Sequence, residues 1–352
     1  MDEPVVAKPK KINLALQGGG AHGAFTWGVL DRLLSDDGIE IAGISGTSAG
    51  ALNGAALKAG MIEGGREGAR ANLDWLWNAV AGIGDLRLVD WMSALFPAPG
   101  LVSRAIEYSP LFSVADAATR IFSPYAYGAL YRNPLEKIAC EFHYDAVCAP
   151  DDPALFVCAT NVRTGKVKVF SGTDITTDAI LASACLPTIF QAVEIEGEAY
   201  WDGGYTGNPA LFPLFVPELP DDLVIVNINP LERDEIPRDA PAILNRINEI
   251  SFNSSLLREL RAINFAQRLI SQGQIQKGAM KSVKVHMVAD DALMTQLSVG
   301  SKLVPSPSVI LALKEAGENA AEAFLSEHRA KIGKSSSVDL EAMYGLSLIH
   351  IS

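Results

Sequence analysis

At 352 residues, with 49% apolar and 20% charged side chains, the chain can bury a substantial core and reads as globular. Its formal net charge of −12 excludes broad electrostatic attachment to nucleic acid or to an anionic bilayer, so any membrane contact has to be local. No apolar run approaches the ~20 residues of a transmembrane helix, and the N-terminus, MDEPVVAKPKK, has no apolar h-region of the secretory kind. The expectation is a cytoplasmic protein.

Residues 1–10 read as a tail. Lys11–Leu16, KINLAL, reads as a buried strand, followed by the loop QGGGAHG and an apolar-periodic helix through Ala24, Val29, Leu30, Leu33 and Leu34. Ile39–Ile44 makes a second strand, and SAGALNGAALKAG a small-residue helix closed by Gly60. Strand, loop and helix repeated in this way favour parallel, right-handed connections.

From about Met61 to Pro150 the periodicity loosens, and the stretch reads as an insertion or lid. Within it Trp91, Met92, Leu95, Phe96, Leu101 and Val102 are the candidates for an acyl-chain channel, against the plainer reading as core. Strands ALFVCATNV and KVKVF around the turn RTG, helix TDAILASAC, a hairpin turning at Gly197, and the strand DLVIVNIN follow. A long helix from Ile243 to about Gln276, strand VKVHMV and a helix from Val309 to Lys331 complete one domain over residues 11–332.

The long helix gathers Arg258, Arg261 and Arg268, with Lys277 and Lys281 beyond them. Leu256, Leu260, Ile263 and Ile270 follow helical spacing. Either these cations are the wet face of a packed helix or they dock transiently on anionic lipid. Residues 333–352 read as a tail, in which 346–352, LSLIHIS, resembles a translated sequencing adapter and is set aside with His350. Cys140, Cys148, Cys158 and Cys185 show no metal or disulfide spacing and read as reduced thiols.

Three segments carry chemistry. GGGAHG (Gly18–Gly23) before a helix exposes backbone N–H groups and suits either a phosphate or an oxyanion. It lacks the lysine and hydroxyl of a P-loop. GTSAG (Gly46–Gly50) fits G-x-S-x-G, where Gly46 and Gly50 permit a sharp turn and Ser48 is either a nucleophile or a helix cap. A nucleophilic serine needs a base, yet none of the five histidines, His22, His143, His286, His328 and His350, sits in a triad-like loop. DGGYTGNP instead ends a strand at Asp202 beside Gly203 and Gly204. A nucleotide-binding module would use the first segment and leave the other two unexplained.

Together with SACLPTIFQAV (Ser183–Val193), these segments make the chain resemble the patatin-like phospholipase family over about 200 residues. The resemblance implies a three-layer α/β fold with a mostly parallel central sheet flanked by helices. It implies Ser48 as nucleophile, Asp202 as its partner in a Ser–Asp dyad, and backbone amides of Gly18, Gly19 and Gly20 as oxyanion hole. The implied elbow glycines are Gly46 and Gly50, and Gly203, Gly204 and Asn208 support the Asp202 loop. The implied reaction is hydrolysis of a lipid acyl ester, of phospholipid or lysophospholipid type, through acyl-Ser48, with no metal or other cofactor. An acyltransferase using the same acyl-serine is the alternative.

Two expectations accompany this reading. Asp202 needs a raised pKa to act as a base, and Tyr200 and Trp201 are the neighbours expected to desolvate it. The family commonly carries Arg or Lys where this chain has His22. That residue is either a titratable electrostatic modulator between about pH 5 and 8 or a spacer bonded locally.

Overall fold

The computed structural model describes residues 8–83, 99–107, 109, 123–276 and 278–343. Strand β1 (Lys10–Leu16) alternates strictly: Ile12, Leu14 and Leu16 are buried on one face, while Ala15 joins a separate cluster on the other. The glycine loop then leads into α1 (Ala24–Leu34), and β2 (Ile39–Thr47) runs parallel to β1.

Helix α2 (Ala49–Ile83) does not stop at Gly60. It bends at Gly64 and Gly65, the latter at φ 61°, and folds back on itself. Gly60 and Gly68 meet across the bend, where a Cβ on either would strike the other's backbone. The returning arm buries Ala69, Leu73, Leu76 and Trp77, with Trp77 stacked on Trp27 of α1 at 6.4 Å and 9°. Of residues 61–83, Ala69, Leu73, Leu76, Trp77 and Val80 pack into the larger apolar cluster as part of α2; the continuation past Gly60 was hidden because the tight bend needs glycine where a stop signal also uses it.

Of the acyl-channel candidates, Trp91, Met92, Leu95 and Phe96 lie outside the described residues, as do residues 346–352. In the helix Pro99–Glu107, Leu101 is exposed and Val102 is buried in the core.

Strands β3 (Ala154–Asn161), β4 (Val167–Ser171), β5 (Val193–Ile195) and β6 (Glu198–Asp202) follow, with α3 (Thr177–Ser183) before β5. Then come β7 (Asp222–Asn227), α4 (Ala240–Ser271), β8 (Lys284–Ala289), the short α5 (Val299–Leu303) and α6 (Pro307–His328). The sheet order is β5-β6-β3-β2-β1-β7-β8, with β4 also pairing to β3. The run from β3 to β8 is parallel, whereas β4, β5 and β6 are antiparallel, so the sheet is mixed. Hairpins at the β3–β4 and β5–β6 turns produce the antiparallel part.

Helices α1, α2 and α6 cover one face with the larger apolar cluster. Leu211, Leu214 and the α4 residues Leu256, Leu260 and Ile263 cover the other. The result is a three-layer α/β architecture. Arg258 and Arg261 lie on the exposed side of α4, as its helical spacing predicts. Among the described residues no helix is long and apolar enough to cross a membrane.

Candidate active site

Ser48 is the single residue between β2 and α2, and its φ of 55° is left-handed. A non-glycine residue there is strained by roughly 1–3 kcal/mol. Close packing enforces the turn. A Cβ on Gly50 would collide with the Leu16 carbonyl, and one on Gly46 would meet the Gly50 carbonyl. A Cβ on Gly18 would lie 2.7 Å from the Ser48 Cβ. The elbow glycines are thus places where backbones touch. The Ser48 N–H donates to Ser183 Oγ at 2.9 Å, and that hydroxyl donates to the Cys158 carbonyl at 2.6 Å. Ser183 opens the SACLP block, and its role in holding the turn was not readable from sequence.

Strand β3 measures the distance to Asp202. Its Cys158 pairs with Thr47 on one side and its Ala159 with Asp202 on the other, which sets the end of β6 beside the Ser48 turn. The Asp202 N–H donates to the Cys185 carbonyl at 2.8 Å, and the Thr160 hydroxyl donates to the Asp202 carbonyl at 2.8 Å. Gly203 lies against the Cys158 backbone too closely for any Cβ.

Asp202 is only 2% exposed. Burial pushes its pKa up to about 7, against the Gly204 N–H at 2.8 Å and the Ser48 hydroxyl, which both favour the carboxylate. The same burial, together with the charge of Asp202, pushes Cys185 and Tyr205 up to about 12. Of the two aromatic neighbours expected to desolvate it, Tyr200 shares the buried face of β6 with Asp202 and packs edge-on to Phe170. Trp201 falls on the opposite face, because strand side chains alternate. Phe252 of α4 lies over Gly204 and edge-on to Tyr205, so α4 supplies apolar cover that sequence did not suggest.

The glycine loop differs from expectation in two ways. The Gly18 N–H already donates to Asn208 Oδ1 at 2.7 Å, so it ties the loop to the Asp202 segment and is not free for an oxyanion. For the N–H groups of Gly19 and Gly20 there is no partner among the described residues. His22 is 1% exposed, and burial, with Lys302 nearby, drives its pKa well below the ordinary value. Its Nε2 shares a 2.8 Å hydrogen bond with Ser301 Oγ, which favours the local reading over the titratable modulator.

The fold is a three-layer α/β architecture with a serine on a strained strand-to-helix turn. Residues 14–215 match the model of the Patatin-like phospholipase family, and the chain belongs to that family of lipid acyl hydrolases. Among solved structures, VipD from Legionella pneumophila is similar at 13% identity and TM-score 0.44, over 91% of this chain and 67% of that one. The type III effector protein ExoU is similar at 16% identity and TM-score 0.33, over 91% of this chain and 53% of that one. The ExoU–SpcU complex from Pseudomonas aeruginosa gives 16% identity and TM-score 0.26, over 93% of this chain and 62% of that one. The chain thus spans about half to two thirds of the length of these proteins. A comparison with curated protein sequences returned no match.

Proposed function

We propose that the chain hydrolyses acyl esters of phospholipid or lysophospholipid through a Ser48–Asp202 dyad and an acyl-Ser48 intermediate, within one domain over residues 11–332. The observation that carries this reading is a strained serine whose hydroxyl meets a buried carboxylate with pKa about 7. In the forward step the Ser48 Oγ–H proton passes to Asp202 as Oγ attacks the ester carbonyl carbon. The N–H groups of Gly19 and Gly20 receive the developing oxyanion. Protonated Asp202 then gives its proton to the departing alcohol. Water, deprotonated by the same carboxylate, attacks the acyl carbon, and Ser48 leaves with the proton restored.

Asp202 must be ionised to accept the proton, so kcat/KM is expected to rise with pH through an acid limb near 7. A single limb near 4 would refute the raised base. Fluorophosphonate labelling of wild type, Ser48→Ala and Asp202→Asn, with phospholipid hydrolysis followed in parallel, tests the dyad. Ser48→Ala should lose label and turnover, and Asp202→Asn should lose at least ~10²-fold in kcat; persistent labelling of Ser48→Ala would place the nucleophile elsewhere. Transient contact of the Arg258 and Arg261 face of α4 with anionic lipid belongs to the same proposal. Liposome flotation indifferent to charge reversal at Arg258, Arg261 and Arg268 removes it.

A further inference from the structure

We propose that Lys302 is a positioning residue of this site: through Asn229 it fixes the glycine loop and keeps a positive charge behind the loop's free N–H groups. The proposal rests on the acyl-Ser48 reading above.

Asn229, fully buried just after β7, joins the two parts. Its Nδ2 donates to the Gly18 carbonyl at 2.8 Å and to Gln17 Oε1 at 3.2 Å, while its Oδ1 accepts from Lys302 Nζ at 3.1 Å. The orientation of this amide is forced, since a carbonyl can only accept and an ammonium can only donate. Pinning the Gly18 carbonyl has a consequence for its neighbour. In a planar trans peptide the C=O and the following N–H point in opposite directions, so the Gly19 N–H is aimed away from the amide network. The main chain of Lys302 acts at the same place: its carbonyl fills the space where a Cβ on Gly20 would sit, and Gly20 has φ 59°.

The charge has a definite balance. Lys302 faces Glu249 and Arg233, and the loop residue His22 faces Lys302. Glu249 is 1% exposed and accepts from Arg233 at 2.6 and 2.8 Å and from Arg246 at 3.3 Å. One carboxylate thus serves three cations, and with His22 neutral the cluster behind the loop carries surplus positive charge. A surplus in this half-buried cluster is less screened than at the open surface and favours negative charge growing on a carbonyl oxygen held at the loop. Burial and Arg233 lower the Lys302 pKa to about 8 against the opposing pull of Glu249, so the ammonium is lost on the alkaline side of neutrality.

The test compares full-length wild type, Lys302→Met and Lys302→Arg for fluorophosphonate labelling rate and for kcat and KM on p-nitrophenyl butyrate between pH 5 and 9.5. Lys302→Met should lower kcat about 10-fold or more with KM nearly unchanged, and Lys302→Arg should restore most of it. Wild type should lose activity above about pH 8, and Lys302→Arg, which keeps its charge, should not. Should Lys302→Met fail to fold, wild type and Lys302→Arg decide alone: an alkaline limb unchanged by arginine overturns the proposal. Ser48 labelling intact with Lys302→Met at wild-type kcat overturns it while leaving the dyad standing. Absence of labelling at Ser48 in wild type overturns the dyad, and this proposal with it.

Discussion

Ser48 holds a left-handed conformation only because Gly18, Gly46 and Gly50 let three stretches of backbone meet beneath it. Gly50→Ala is therefore expected to be among the most damaging single methyl additions, costing about 3 kcal/mol or more, since the obstacle is the Leu16 main chain and cannot rotate away. Chemical denaturation of the variant against Ala51→Gly, one position along the same helix, checks this. Asp202 makes the opposite kind of prediction. Its folded pKa of about 7 exceeds the ordinary 3.8, so the folded chain holds a proton that the unfolded chain has released between those values. Stability from this group is full below about pH 4 and falls as pH rises through 7. Asp202→Asn should accordingly stabilise the fold at pH 8 and not at pH 4, by up to about 4 kcal/mol at ~1.4 kcal/mol per unit, read as a higher Tm at pH 8 only. Equal Tm changes at both pH values would contradict it.

At the scale of elements, α1 and α6 cross at glycines. A Cβ on Gly28 would strike the Lys314 carbonyl, and one on Gly317 the Phe25 carbonyl. The returning arm of α2 wedges Trp77 against Trp27, and its indole N–H donates to Asn53 Oδ1 at 2.9 Å. Trp77→Ala is expected to destabilise by about 3–5 kcal/mol, measured by denaturant midpoint, because it opens a cavity and orphans the buried Asn53 amide. Asn53 also donates to the Gly23 and Ala49 carbonyls, so the same change should slow Ser48 labelling. Strand positions and the two hairpins were legible from residue alternation and turn residues. The end of α2 was not, because a glycine that stops a helix and a glycine that admits a neighbouring backbone look alike in sequence.

For the whole molecule, the part beyond the family match supports the site in physical terms. Residues after Phe215 supply β7 beside β1, the α4 layer, α6 over α1, and the Asn229–Lys302 connection to Gly18. A chain ending at Phe215 is expected to be insoluble or unfolded by circular dichroism, since β1 would become an open edge and the faces of α1 and the sheet would be bare. Breaking the buried Arg233–Glu249 pair with Glu249→Ala should cost about 3–5 kcal/mol, because Arg233 and Lys302 would be left without their carboxylate.

By itself the sequence determined the strand–loop–helix repeat, the sharp turn at Ser48 in GTSAG, the strand-ending Asp202 and the family, because those features are written in short contiguous spacings whose glycines have local reasons. Only the tertiary structure decided which loop amides are free, that His22 is neutral, that Tyr200 and Phe252 and not Trp201 cover the carboxylate's surroundings, and that Lys302 stands behind the glycines. Each of these depends on burial and on partners up to about 280 residues away, as with His22 and Ser301, and desolvation is a property of the packed interior that no local pattern contains.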